Sequence, residues 1–415
     1  MTKERYNWII VGGGISGLAI AEILSRENNE ILIIEKNKYL ASETSKVFHE
    51  WLHTGALYTL VPDRMLTTRY LLGAIDDLLE YYSNFEGMNL SKTHSGLSIT
   101  NQGWFNPEPM KFKYRARKMN PIWELVVAKS SIELDKISNH DWLRRRGGED
   151  YGNLKLFDKR ILKELINVYK DNKDFYEKQS SDLTMNSRQL ISDILNQSIN
   201  RGLDIKVNEP VQAVTQNQTG VKVETKNNDY FAENVVICSP DFISKYESLN
   251  IKESYAPMAV VDGVEDSVDN FVELDYYYKN CINLLKKGNG FAQVGGISLN
   301  DYSKVDAYLE YLMKEHKKRN DKIRLIGSYV GVKKELTRKS QNRNYEYHIH
   351  RSDKNIWSIV LGKFTLAFSL APEFFRRIYN KNPYVDYTVE TYKKRSEYVD
   401  TTTWSDVIKQ SKKEV

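Results

Sequence analysis

The sequence predicts an α/β fold: a doubly wound, largely parallel sheet joined to a second unit with a mixed or antiparallel sheet. Three observations predict it. Residues 6–36 combine an apolar run, a Gly-x-Gly-x-x-Gly turn, a helix-period segment and a second apolar run ending in an acid. Residues 184–240 read as a helix, a short strand, a small β-meander and a strand returning to the main sheet. Residues 323–378 read as strand-like runs followed by a glycine-led turn into a helix. The chain has 415 residues, enough for two cores.

In the first block, Trp8–Val11 is the strand and Gly12, Gly14 and Gly17 follow at once. Gly12 permits the sharp turn, Gly14 lets a pyrophosphate approach the backbone, and Gly17 lets the helix pack close to the sheet. The helix N-terminus offers N–H groups and a partial positive charge to phosphates. Gly13, Ile15 and Ser16 complete the turn. Glu35, at the tip of the Ile31–Ile34 run, can accept from a ribose hydroxyl, and Lys36 follows it.

Composition narrows the function. Lys plus Arg is 60 against 55 for Asp plus Glu, a net +5 that gives no argument for nucleic acid. Two cysteines, Cys238 and Cys281, exclude a disulfide framework, and no metal-ligand cluster is visible. No run approaches the ~18 apolar residues of a membrane span. The N-terminus enters the first strand within a few residues, so a cytoplasmic protein without a signal peptide is expected. The Asn217–Thr219 glycosylation pattern is then a chance match.

Residues 63–83 carry apolar positions at helical spacing, and 155–178 also read as helix. Residues 90–150 are poorly periodic, and Arg144–Arg146 reads as a solvated surface run. A helix opens at Ser187 behind an Asn or Ser cap. Strands are expected at 203–207, 211–215, 221–225, 235–238, 324–332, 345–350 and 357–361, and a helix from Gly362-Lys363-Phe364-Thr365 to about Ile378.

Four segments stand in a fixed order. They are the Gly12/Gly14/Gly17/Glu35 unit; Thr44-Ser45-Lys46 with His53-Thr54-Gly55-Ala56-Leu57-Tyr58; Ser187–Leu190 with Gly202–Ile205, Val211 and Val235–Cys238; and Tyr329–Lys333 with Gly362–Thr365. In this order they resemble the FAD-dependent oxidoreductases of the D-amino-acid oxidase superfamily, in particular the glycerol-3-phosphate and L-2-hydroxyglutarate dehydrogenase branch. The second segment is similar to the family's Ser-rich loop and His-x-Gly-x-x-Tyr stretch. The last is similar to its Gly-Val-Arg-Pro and Gly-Gly-Lys-Leu-Thr stretches. Departures are Cys238-Ser239-Pro240 for Ala-Ala-Gly, Lys333-Lys334 for Arg-Pro, and Leu361 for the first Gly of Gly-Gly-Lys.

The resemblance implies a Rossmann-like FAD-binding domain with an inserted α+β substrate domain. The FAD domain would comprise 1–88, 181–245 and 338–380, the substrate domain 89–180 and 246–337, with 381–415 a helix or tail. It implies dissociable FAD held by Gly12–Gly17, Glu35, Lys36, Thr44, Ser45, Val211, Ser239 and Gly362–Thr365. The activity implied is oxidation of a C–OH or C–N bond of a small anionic substrate by hydride transfer to flavin N5. Backbone N–H groups at Gly362–Thr365 would stabilise charge on the reduced flavin, with Lys363 adding its own. His53 suits a flavin or substrate contact and the base, with His49 as its alternative. His348 and His350 share a strand face, and His350 is a further catalytic candidate. Lys333 takes the place of the substrate-binding arginine, without its bidentate fork. Tyr58, Tyr329 and Arg351 are secondary candidates, and the Tyr276–Tyr278 triplet reads as sheet packing. The apolar helix after Thr365 reads as buried beneath the flavin, with peripheral membrane contact as its other reading. Two rival functions are a flavin monooxygenase or halogenase, against which stands the lack of any Gly-Asp dipeptide, and a FAD-binding accessory protein without dehydrogenase activity.

Overall fold

The computed structural model describes residues 5–27, 29–61, 63–116, 120–148, 151–170, 174–247, 249–275, 280–337, 344–388 and 395–413. Tyr276–Tyr278 lie outside the described residues.

Tyr6–Val11 pairs in parallel with Ile31–Ile34 on one side and with Asp229–Ile237 on the other. The sheet extends in parallel to Asp204–Lys206 and to Ile356–Leu361, and ends at the antiparallel edge strand Tyr347–Asp353. All four residues of Ile31–Ile34 are buried, as a parallel strand covered on both faces requires. The meander Val211–Gln216 and Val221–Thr225 leans on Asp229–Ile237.

The Ile15–Ser25 helix covers one face and is buried along its whole length. It packs against Ala367–Tyr379 and Ser187–Asn200. Its Glu22 is tolerated because Arg26 and Arg201 lie 2.9 and 2.8 Å from its carboxylate. Phe368, Leu370, Phe374 and Phe375 of the Ala367–Tyr379 helix fill the same core, which bears out burial for that apolar segment. Among the described residues no helix is long and apolar enough to cross a membrane.

A second sheet runs Arg324–Leu336, Ile251–Asp262, Phe291–Gly296, Asn280–Gly288, Phe271–Asp275, Phe105–Arg115, Phe175–Met185, Trp51–Leu52. It is antiparallel except where Phe271–Asp275 runs parallel to Phe105–Arg115. Most of the expected elements are present. The Leu66–Tyr81 helix, the Asn186 cap accepting from Gln189 N, and the strands around 204–225 fall where the sequence puts them, while the strand expected at 235–238 begins already at Asp229 because its first half pairs with Val221–Thr225. Arg144–Arg146 are exposed. The helix expected over 155–178 is a correction. It spans Lys159–Lys170, and a strand begins at Phe175 because its residues pair with Phe105–Arg115.

Candidate active site

Two cavities sit side by side between the sheets. The first, about 470 Å³, opens at the ends of Tyr6–Val11 and Ile31–Ile34 and is lined by Gly12, Gly14, Ile15, Ser16, Glu35, Lys36, Val211 and Ser239. The second, about 190 Å³, is lined by Phe48, His49, Trp51, His53, Cys281, Asn283, Gly362, Lys363 and Phe364. Ile15, Thr44, Ser45, Lys333 and Leu361 belong to both walls, so the two form one trough.

The glycine turn has the shape a diphosphate needs. Gly12 has φ +104°, and a Cβ there would press on the Cys238–Ser239 backbone at 3.2 Å. A Cβ on Gly17 would stand 2.2 Å from Gly12 O, so only hydrogen lets the helix approach. A Cβ on Gly14 would meet nothing nearer than Ser45 Oγ at 3.9 Å, leaving the helix end bare toward the first cavity. That helix has no side-chain N-cap at Gly14 and no acid in its first turn. Ser45 Oγ accepts from Ile15 N at 3.2 Å. Glu35 is fixed by accepting from Gly13 N and Asn37 N, at 2.8 and 2.9 Å, and burial raises its pKa. Lys36 bridges Glu43 and Asp241 at the rim, at 2.7 and 3.1 Å.

In the second cavity the His53 ring stacks on Trp51 at 4.2 Å, with its side chain 12 % exposed. Its backbone N–H donates to Thr365 Oγ1 at 3.1 Å, which ties the histidine loop to the Gly362–Thr365 turn. Burial pushes its pKa down to about 4, so it is a neutral proton acceptor at neutral pH. Lys363 Nζ lies over the rings of Tyr58 and Tyr345, at 5.2 and 5.0 Å. Lys333 is buried and pairs with Glu335 on its own strand at 2.9 Å.

Several sequence candidates do not line either cavity. Gly13, Gly17 and Thr365 lie behind the walls, where they shape the turns. His350 is a correction. It stands on the edge strand with its side chain 54 % exposed and 3.6 Å from Glu247, so its face of the strand is open to solvent and outside both cavities. Arg351 is likewise exposed, stacked on Trp357. Tyr329 Oη accepts from Gln293 instead of facing either cavity.

Sequence reasoning missed the contribution of residues 395–413. Leu40 N donates to Tyr398 O at 2.9 Å, Lys46 bridges Asp400 and Asp406 at 2.6 and 3.1 Å, and Trp404 Nε1 donates to Glu50 at 2.8 Å. This segment therefore clamps the 40–50 loop that forms the shared wall. The double substitution Asp400→Ala/Asp406→Ala should weaken FAD binding by roughly fivefold, from two partly buried pairs of about 0.5 kcal/mol each. Fluorescence titration with FAD measures it.

A family model described as FAD dependent oxidoreductase matches residues 7–245. The chain belongs to this FAD-dependent oxidoreductase family. FAD is the cofactor of the family, and the glycine turn with its bare helix end fits it. The flavoprotein is 30 % identical over 86 residues to the mitochondrial L-2-hydroxyglutarate dehydrogenase of Arabidopsis thaliana, a match covering 21 % of this chain and 17 % of that one. Its fold is similar to L-α-glycerophosphate oxidase from Mycoplasma pneumoniae, with TM-score 0.64, 14 % identity, and 94 % and 99 % of the two chains covered. It is also similar to glycine oxidase from Geobacillus kaustophilus, with TM-score 0.62, 14 % identity, and 94 % and 100 % covered.

The buried histidines set an acid limit on the flavoprotein's stability. Burial lowers His49 to about 3 and His53 and His316 to about 4. Above pH 6.5 both folded and unfolded states are neutral at these sites. Below 6.5 the unfolded chain takes protons that the folded one refuses, so stability falls toward pH 4. Asp77, raised to about 6 by burial, opposes this, as do Glu35, Asp76 and Asp193, also raised by burial, while Glu164 and Asp386, held down to about 2 by their hydrogen bonds and cations, reinforce it. A melting temperature dropping steadily between pH 6.5 and 4, equivalent to several kcal/mol at ~1.4 per pKa unit, is the expected calorimetric result.

Proposed function

We propose that this chain oxidises a C–OH or C–N bond of a small anionic compound, with the hydride passing to N5 of non-covalently bound FAD. The observation that carries the reading is the trough itself: a cavity on the glycine turn that shares a wall with a smaller one lined by His53 and two lysines. Bound FAD would supply the two-electron acceptor. The diphosphate would lie on Gly12–Ser16, the ribose at Glu35, and the flavin against Gly362–Phe364. Val211 and Ser239 would flank the adenine half, with Thr44 and Ser45 between. The division into FAD and substrate domains is proposed as the sequence reads it.

In the substrate cavity His53 would take the hydroxyl or amine proton. Lys363, steadied by two tyrosine rings, would hold the substrate anion. Lys333 would add a screened charge, since Glu335 already shares it. Phe48, Trp51, Leu57 and Phe364 give the cavity apolar walls. An anionic substrate agrees with the names of the relatives, whose 2-hydroxyglutarate, glycerophosphate and glycine all carry a carboxylate or phosphate. Dissociable FAD agrees with the thiols: burial pushes both Cys238 and Cys281 up to about 12, which leaves neither nucleophilic.

The test is an anaerobic screen of the holoprotein with L-2-hydroxyglutarate, glycerol 3-phosphate, glycine and their homologues. Bleaching of the flavin by one of them supports the reading. A flavin that none of them bleaches would shift weight to the accessory-protein alternative, and NADPH oxidation with substrate to a monooxygenase.

A further inference from the structure

Asp182 sits behind His53, at full burial, on the Phe175–Met185 strand. Its Oδ1 accepts from Thr54 N and Thr54 Oγ1, at 2.8 and 2.5 Å, and its Oδ2 accepts from Trp51 Nε1 at 2.9 Å. Its Oδ2 also lies 3.7 Å from His53 Nδ1, a buried nitrogen with no partner at hydrogen-bond distance among the described residues. The neighbours of Asp182 are the two residues flanking the histidine segment, Trp51 and Thr54. Trp51 in turn stacks on the imidazole. Such a carboxylate fixes both the plane of the ring and its tautomer.

We infer that Asp182 is the positioning residue for His53: it directs the Nδ1–H inward and leaves the Nε2 lone pair for the substrate proton. This rests on the proposed reading of His53 as the base. In the step, the substrate O–H (or N–H) bond breaks and an N–H bond forms at Nε2. The substrate C–H bond breaks with its electron pair leaving as hydride to oxidised FAD, and a C=O or C=N bond results. The imidazolium then faces the Asp182 carboxylate, and the 3.7 Å gap closes to a charge-assisted hydrogen bond as the positive charge appears. Lys363, Lys333 and His49 also face His53 and oppose that charge, so the carboxylate is the group that favours it. A merely structural hub would tie Trp51–Leu52 to Phe175–Met185 without regard to tautomer.

The decisive reading is ¹⁵N NMR of histidine-labelled holoprotein at neutral pH, with the His53 signal assigned by its loss in His53→Gln. The expected wild-type state is Nδ1–H with unprotonated Nε2. In Asp182→Asn that preference should weaken. Turnover of the compound that bleaches the wild type should fall at least about tenfold with KM unchanged, and the acid limb of kcat/KM should move to lower pH. An Nε2–H tautomer in the wild type overturns the inference without any Asp182 variant, so a failure of Asp182→Asn to fold leaves it testable. An unchanged tautomer and pH limb in Asp182→Asn overturns it too. Full activity in His53→Gln defeats the base reading instead, whatever the tautomer shows.

Discussion

His53→Gln should slow anaerobic flavin reduction by about 10²–10⁴-fold, the contribution of a positioned general base. Glutamine keeps the backbone N–H that donates to Thr365, so the loop and the cofactor turn stay linked. It also keeps polar bulk against Trp51. FAD affinity should therefore remain within about twofold of wild type, since His53 lines the second cavity and not the first. Stopped-flow absorbance with the compound that bleaches the wild type gives the rate, and FAD titration gives the affinity. Equal reduction rates in the two proteins would remove His53 from the chemistry.

The second large effect separates two glycines of one motif. Gly14 has φ −71° and ψ 175°, extended backbone that any residue adopts, and a Cβ there meets open space. Gly14→Val should fold with a melting temperature close to wild type and lose FAD affinity by roughly 10- to 100-fold, because its branches project where the diphosphate would pass. Gly17→Val has the opposite profile. Its Cβ would collide with the Gly12 carbonyl, which is backbone and cannot move aside, so a loss of roughly 3 kcal/mol or more of stability is expected. Apoprotein calorimetry combined with FAD titration distinguishes the two. A Gly14→Val protein that retains full affinity would mean that the cofactor does not approach this turn.

That contrast shows which parts of the fold were legible in the chain. Gly12 and Gly17 are forced by close backbone approaches and Gly14 leaves the helix end bare, all at fixed offsets, so the sequence displays the turn directly. The strands from Asp204 to Thr225 are short, local and bounded by turn residues, and they read correctly. Phe105–Arg115 was opaque even though Met110, Phe112 and Tyr114 alternate into the core. Pro107 and Pro109 interrupt its pattern, and its partners at 175–185 and 271–275 are remote. The substrate cavity was half legible. His53, Lys333 and Lys363 lie in segments with a recognisable pattern. Asp182, Cys281 and Asn283 stand on sheet strands whose sequence carries no mark of what faces them. His350 misled because alternation on a strand names a face without saying whether anything covers it.

On the proposed reading, one trough would hold FAD along its length, with the reacting ring system at the boundary of the two cavities. A crystal structure of the protein grown with FAD tests it most directly. The adenosine is expected at Glu35, the pyrophosphate on the Gly12–Ser16 turn and the isoalloxazine edge against Gly362–Phe364, within reach of the His53 cavity. Density that places the ring system away from Gly362–Phe364, or the dinucleotide outside this trough, would contradict it.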